Sequence, residues 1–381
     1  MRLSTVSGNI EIGQIVQLFP DFPPTIDIGD KGFVKSGYAV TSGYTPIFND
    51  YDSQSVFVTE KTFNQAGVSR SFASDGNGVW CGVNINGALV RSTDNGETWS
   101  IVSTPIAPNG AEDKVIATDG SGVWVCCVTA ANTTSLIRST NNGVSWSTVS
   151  HTAATNIKSI DTNGSGVWIG IGTQNTGESI KSTDNGATWS TITVGGGTIS
   201  VPLVLYVGNQ SWLVSNSRIT ADDGANWSLS SLGSVDITAM DANGSGVVMV
   251  ASGLTSGNLS RSSNYGSAFS AISPAFQTDD VIISAVGMSG SVCFIGSSVG
   301  DLSSSYNAGL SFDAASGPFL SRRAIINSIT SDKAASIADQ TWVFAAQVGQ
   351  PAQYTIYAKG ITGVGFSTNV PDADSYYMRY K

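Results

Sequence analysis

Few side chains in this sequence could do chemistry. Loop carboxylates fall at Glu112, Asp113, Glu178, Asp279 and Asp280, and single Asp residues recur in one short motif at Asp94, Asp184 and Asp222. Two converging carboxylates would cleave a glycosidic bond as acid and base or nucleophile, provided the fold brought Glu112 or Asp113 against Asp279 or Asp280. His151 is the only histidine, so a Ser/His/Asp relay would need it as base. It stands in a plain Thr, Ala and Asn loop with no nucleophile motif beside it. The four cysteines, Cys81, Cys126, Cys127 and Cys293, form no CxxC pair and read as free core thiols. Arg91, Arg138, Lys181 and Arg261 recur at one position of the motif and read as solvated or locally paired charges. With Phe276, Phe319, Arg322 and Arg323, the loop carboxylates make a candidate ligand face. Catalytic groups, metal ligands and cofactors are not expected.

The recurring motif is RSTDNGETWS, Arg91 to Ser100. It returns as RSTNNGVSWS from Arg138, KSTDNGATWS from Lys181 and TADDGANWS from Thr220, with weaker copies RSSNYGSAFS from Arg261 and SYNAGLSF from Ser305. Its marked positions are Ser92, Asp94, Gly96 and Trp99, then Ser139, Asn141, Gly143 and Trp146, then Ser182, Asp184, Gly186 and Trp189. The later sets are Thr220, Asp222, Gly224 and Trp227, then Asn264, Gly266 and Phe269, then Asn307, Gly309 and Phe312. Successive Asp or Asn positions differ by 47, 43, 38, 42 and 43. Such a side chain accepts hydrogen bonds from backbone N–H groups just after it, and the glycine takes the positive φ that closes a hairpin. The aromatic ring folds back under the turn, where it can bury about 150–250 Å². The carboxylates are single and some are Asn, whereas calcium takes six or more oxygens, so the motif reads as structural. It resembles the Asp-box, or BNR, repeat of sialidases and many unrelated propellers, over residues 70–315. With a period near forty residues, that resemblance implies an all-β fold, a β-propeller of four-stranded antiparallel blades.

A second column precedes the first. The runs DGNGVW, DGSGVW, NGSGVW and GNQSW end in Trp80, Trp124, Trp168 and Trp212, 44 residues apart each time, and later repeats put Val248 and Cys293 there. Gly-rich pairs between alternating runs signal hairpins. Each repeat therefore reads as strand A, a turn, strand B from the Trp, strand C into the box and strand D out of it. Ala324 to Thr330, Gln340 to Gln347 and Gln353 to Lys359 alternate as further strands, with Gly363 to Ser367 as a candidate fourth. They predict a degenerate seventh blade without a box within residues 320–370. Residues 1–50, with Pro20, Pro23 and Pro24, do not fit the repeat and read as an N-terminal arm for docking or assembly, which leaves residues 51–381 to the propeller. Ser55 to Phe63 alternates and is the expected closing strand, removing an open edge by pairing with the last blade. Tyr376, Tyr377 and Tyr380 are expected to pack on that blade.

Composition narrows the partners. Only 12% of the 381 residues are charged and the net charge is −10, which argues against binding a phosphate backbone. No basic cluster exceeds Arg322-Arg323. Nucleic acid is not an expected partner. No apolar run reaches transmembrane length, and the start MRLSTVSGNIEIG lacks the apolar stretch of a signal peptide. Neither membrane insertion nor secretory export is expected.

In a four-stranded blade the A–B and C–D turns share one face, and here they are short and stereotyped. The D–A and B–C connections share the other face and vary. Function usually sits on variable loops held by a rigid scaffold, so a ligand is expected there. A sialidase would need an arginine triad, a Tyr nucleophile with a Glu partner, and an Asp acid/base. Four of the nine Arg sit at, or two residues before, box starts, and only Glu112 and Glu178 of five Glu lie on variable loops. A fold does not imply its best-known activity. In style the chain also resembles virion proteins of tailed bacteriophages, on its low-charge Ser/Thr/Gly/Asn repeats, the arm TIDIGDKGFVKSGYAV and the terminal YYMRYK. That resemblance implies a non-enzymatic tail-fibre or tail-associated structural protein, made in the host cytoplasm and residing in the virion. Its arm would dock on other virion or assembly proteins, a homo-oligomer in the particle being compatible, and its propeller would bind host-surface glycan or another receptor. The alternatives are a sialidase-like glycan hydrolase and an intracellular assembly-factor propeller.

Overall fold

Each repeat folds into one antiparallel sheet, and the sheets follow one another round an axis. The computed structural model describes residues 69–359 apart from loop positions 85, 110–113, 129–134, 154–155, 173–177, 196–198, 200, 234, 254–257, 274–281, 299–301, 313–324, 334–339 and 348–352, together with strands at 15–17, 33–35, 58–61 and 376–379. Strands β1 (Ile15–Gln17), β2 (Phe33–Lys35) and β3 (Val58–Lys61) come first. Blade 1 is β4 (Ser69–Ser74), β5 (Trp80–Asn84), β6 (Leu89–Ser92) and β7 (Ser100–Val102), and blade 2 is β8 (Ile116–Thr118), β9 (Trp124–Cys127), β10 (Ser135–Ser139) and β11 (Ser147–Ser150). Blade 3 is β12 (Ile157–Thr162), β13 (Trp168–Gly172), β14 (Glu178–Ser182) and β15 (Ser190–Thr193). Blade 4 is β16 (Val204–Gly208), β17 (Ser211–Val214), β18 (Arg218–Thr220) and β19 (Ser228–Leu229). Blade 5 is β20 (Ile237–Ala242), β21 (Val248–Ser252), β22 (Asn258–Ser262) and β23 (Ser270–Ile272), and blade 6 has three described strands, β24 (Ile283–Ser289), β25 (Val292–Ser297) and β26 (Leu302–Ser305). Blade 7 is β27 (Ile325–Ser331), β28 (Thr341–Gln347) and β29 (Gln353–Lys359), with β3 as its fourth strand. The inner strands β4, β8, β12, β16, β20, β24 and β27 touch in that order, and β27 touches β4. The ring is closed.

Thr59–Lys359 forms one compact unit, and Met1–Val58 with Gly360–Lys381 forms another. The second unit holds a sheet in the order β1-β30-β2, where β30 is Tyr376–Arg379. Val16 lies opposite Tyr377, and Val34 opposite Met378. Two sequence expectations change. The boundary near residue 50 moves to 58, and residues 360–381 leave the propeller. Tyr376 and Tyr377 belong to a strand paired with both N-terminal strands, not with blade 7. The reason is edge pairing: β3, from the Ser55–Phe63 segment, already occupies the outer edge of blade 7, so the C-terminal strand satisfies its backbone elsewhere. Gly363 to Ser367 and Tyr380 lie outside the described residues.

Two hydrogen-bonded columns explain the repeat. The residue after each box Asp or Asn is left-handed, with φ of 57° at Asn95 and Asn142, 58° at Asn185 and 52° at Asp223, which Asn and Asp tolerate better than most side chains. Its side-chain oxygen accepts the indole N–H of the strand-B Trp. Trp80 donates to Asn95, Trp124 to Asn142 and Trp168 to Asn185 at 2.8 Å each, and Trp212 to Asp223 at 2.9 Å. All four indoles are fully buried. At roughly 25 cal/mol per Å² over about 200 Å², ring burial contributes about 5 kcal/mol, against about 1 kcal/mol net for the hydrogen bond. The bond matters through its absence, because a buried N–H left without an acceptor costs about 1–3 kcal/mol. The weaker repeats respect that rule. Blade 5 has Tyr265 in place of the Asn and Val248 in place of the Trp, and blade 6 has Ala308 and Cys293. Donor and acceptor are lost together. Blade 7 keeps a buried Trp342 whose N–H has no acceptor among the described residues, and its ring packs edge-on against Phe294 at 4.8 Å.

The same Asn also reaches back one blade. Asn142 Nδ2 donates to Asp75 Oδ2 at 2.9 Å and Asn185 Nδ2 to Asp119 Oδ2 at 2.8 Å, while Asn95 Nδ2 donates to Thr341 Oγ1 at 2.7 Å across the ring closure. Arginines reach forward: Nε of Arg91, Arg138 and Arg261 donates to the carbonyls of Asn142, Asn185 and Ala308 at 2.8, 2.9 and 2.7 Å. Three of the four residues of the basic column are thus tied to the next blade's turn, a longer-range contact than the local pairing expected from sequence. Box glycines sit at the same seam. A Cβ on Gly143 (φ 77°) would meet Cys81 Sγ at 2.7 Å, so both the left-handed backbone and the close approach require glycine there.

The box carboxylates close their own turns. Asp184 Oδ1 accepts from Ser182 Oγ at 2.7 Å and Thr188 N at 2.9 Å, and Oδ2 accepts from Thr188 Oγ1 at 2.6 Å. Led by the Thr188 hydroxyl, these bonds hold the Asp184 carboxyl at about 2, below its ordinary 3.8. The Thr220 hydroxyl, with Asn226, likewise holds Asp222 at about 2.

Asn185→Ala strands the Trp168 N–H and the Asp119 carboxylate and puts a Cβ-bearing residue without a polar side chain at positive φ. It should lower stability in urea by about 2–4 kcal/mol, and a double-mutant cycle with Trp168→Phe should return a coupling above about 1 kcal/mol. An unchanged midpoint would remove the latch from this account. A second expectation concerns acid. Because the folded values of Asp184 and Asp222 are depressed, their contribution is full above 3.8 and lost as pH falls towards about 2. Thermal midpoints should drop across that window, and the drop should be shallower in an Asp184→Asn, Asp222→Asn variant; equal slopes in variant and parent would contradict the assignment.

Candidate functional site

The box carboxylates are already occupied. Asp94 accepts from Ser92 Oγ, Thr98 N and Thr98 Oγ1, and Asn141 and Asn307 make matching bonds to Ser145 and Ser311. Among the described residues no group of three or more His, Cys, Asp or Glu could hold a metal ion. Of the loop-face candidates, Glu178 opens β14 opposite Thr193 and is half-buried. Glu112, Asp113, Phe276, Asp279, Asp280, Phe319, Arg322 and Arg323 lie outside the described residues.

His151 is 5% exposed, and neither ring nitrogen has a hydrogen-bond partner among the described residues. Burial lowers its pKa and favours the neutral ring. Among the described residues no hydroxyl or carboxylate is hydrogen-bonded to the imidazole, as a relay would require. All four cysteines are buried, and none is in a disulfide. Burial pushes the Cys81 thiol up to about 12 and those of Cys126 and Cys293 well above the ordinary range. A thiol without thiolate character is a poor nucleophile. Cys81 instead supplies the small surface against which Gly143 of the next blade packs.

The feature that motif reading missed is the central channel. Residues on or beside all seven inner strands line a cavity of about 470 Å³. Most of its wall is Ser, Thr, Ala and aliphatic, with Asp75, Lys114, Asp161, Asp241, Asp332 and Lys333 as ionic groups. Asp161 Oδ1 accepts from Thr162 N at 2.9 Å, and Oδ2 from Tyr206 N of the next blade at 2.8 Å. Asp241, two blades on, repeats this with Ala242 N at 2.9 Å and Met288 N at 2.8 Å. These carboxylates staple neighbouring inner strands; Ser71 and Ser159 do the same with hydroxyls, to Val115 N and Val204 N. Burial raises the pKa of Asp161, opposed first by the charge of Lys114 and also by two backbone N–H bonds. Lys333 Nζ lies 3.7 Å from Asp241 Oδ1 and donates to Ala242 O at 3.2 Å, joining blade 7 to blade 5 over the turn-face mouth. A signal for this wall was present: IDTNGSGVW and MDANGSGVV put an acid at the same place in two inner strands.

No family model matches the chain, and no curated protein matches it. Among solved structures it is similar to YCF48 bound to D1 peptide, with a TM-score of 0.60 and 14% identity over 82% of this chain and 98% of that one. It is similar also to YCF48 from Cyanidioschyzon merolae, with a TM-score of 0.58 and 11% identity over 80% of this chain and 98% of that one. A GH74 xyloglucanase from Xanthomonas campestris matches with a TM-score of 0.61 and 12% identity, over 86% of this chain and 56% of that one. Identities of this size carry the fold alone: the chain shares the β-propeller fold of these structures.

Proposed function

We propose that this protein is a non-enzymatic structural and binding component of a tailed-bacteriophage particle, in a tail-fibre or tail-associated position. Its propeller is held out towards the host, and the variable-loop face takes host-surface glycan. The observation that carries this reading is the division of labour along the chain: both chain ends lie in one compact unit and the whole ring lies in the other. A body made from both ends suits attachment to other virion proteins, and it replaces the N-terminal arm alone as the docking element. The stereotyped face supports the choice of the opposite face, since its Asp, Asn and Arg side chains are committed to turns and to neighbouring blades. Rigid scaffolds with variable loops are the usual arrangement for recognition.

Purified full-length protein should adsorb saturably to host cells, and periodate oxidation of the cell surface should reduce that adsorption at least about tenfold, about 1.4 kcal/mol. No reducing sugar should be released during the incubation. Release of reducing ends at a rate proportional to protein would instead support the glycan-hydrolase reading and overturn this one.

A further inference from the structure

We propose that the central channel is a binding pocket for a small zwitterion, with Lys114 holding the ligand's carboxylate and Asp161 its ammonium. The cavity of about 470 Å³ lies within the ordinary range for small-molecule sites and has room for a molecule of amino-acid size. Its ionic groups are not equivalent. Lys333 is tied to Asp241 and to the Ala242 carbonyl, and so spans the turn-face mouth. Lys114 and Asp161 line the same cavity, and no ion pair joins them among the described residues. Two opposite charges held apart at a partly desolvated wall form a template, and a ligand carrying the complementary pair satisfies both at once.

The backbone adds a second, independent sign. Lys114 and Lys333 are left-handed, with φ of 52° and 55°, where Gly, Asn or Asp would sit with less strain. Lysine at both places is a choice of side chain made against the backbone's preference. For Lys333 its bonds across the mouth account for the choice. The Lys114 side chain makes no hydrogen bond or ion pair among the described residues and acts on Asp161 only through its charge, so the ligand carboxylate fills that role. The Asp161 oxygens each already take one backbone N–H, which fixes the carboxylate in place, and each keeps a lone pair for the ligand's ammonium.

The test uses the full chain in isothermal titration with free γ-aminobutyrate, glycine and lysine, beside acetate and methylammonium as half-ligands. At least one zwitterion should saturate the protein with 1:1 stoichiometry, and both half-ligands should bind at least about tenfold more weakly. Lys114→Gln, whose parent side chain makes no hydrogen bond or ion pair among the described residues, should weaken the zwitterion at least about tenfold with the near-ultraviolet signal of the buried indoles unchanged. Asp161→Asn should do likewise if it folds. The proposal is overturned if no zwitterion binds by about 10 mM, if the half-ligands bind as tightly, or if folded Lys114→Gln binds like the parent. These titrations involve no cell surface, so they can fail while the proposed display function stands, and the reverse.

Discussion

The structure depends on one residue held where most side chains resist going. An Asn in the left-handed turn conformation offers an amide with an acceptor and a donor pointing in different directions. The acceptor takes the indole of its own blade, as Asn142 takes Trp124, and the donor takes the turn of the preceding blade, as Asn142 reaches Asp75. A single amide therefore orders the inside of one sheet and sets its distance to the next. The same group closes the ring, since Asn95 holds Trp80 and reaches Thr341. Aspartate at Asp223 keeps the acceptor and loses the donor, so blade 4 retains its indole bond but not this particular backward link.

Much of this was legible in the sequence, because each column repeats with constant offset. The boxes and the Trp run gave the strands, the turns and the two faces. The partnership between columns was less visible, since Trp168 and Asn185 belong to different motifs and only geometry brings them to 2.8 Å. Contacts between blades were harder still. Arg138 and Asn185 lie a full repeat apart, and in a linear reading Arg138 looks like a surface cation. The staples at Asp161 and Asp241 were hidden for a similar reason: an acid in an inner strand looks like a loop residue until the next strand's N–H groups are placed beside it. The sheet of the chain ends lay furthest from reach. Val16 opposite Tyr377 is a pairing between segments with no shared pattern, and neither alternates long enough to announce a strand.

One economy runs through the ring. Polar side chains on the stereotyped face serve the architecture, so that face is rich in Asp, Asn and Arg without offering them to a ligand. The channel uses the same groups differently, with carboxylates that bridge inner strands and lysines whose charges face a shared space. Identical residue types thus carry different roles, decided by how many of their donors and acceptors the neighbouring blades have already taken.

The pairing of chain ends has a mechanical meaning. The strand β3 completes blade 7 next to β29, so the circle is fastened by pairing early and late segments of the polypeptide, and in the second unit β1 and β2 flank β30. The two covalent crossings between units fall at residues 58–59 and 359–360, in or directly after neighbouring strands of that one blade. Opening the circle at blade 7 therefore means giving up a whole ladder of backbone hydrogen bonds, a clasp built from main chain and not from any one side chain.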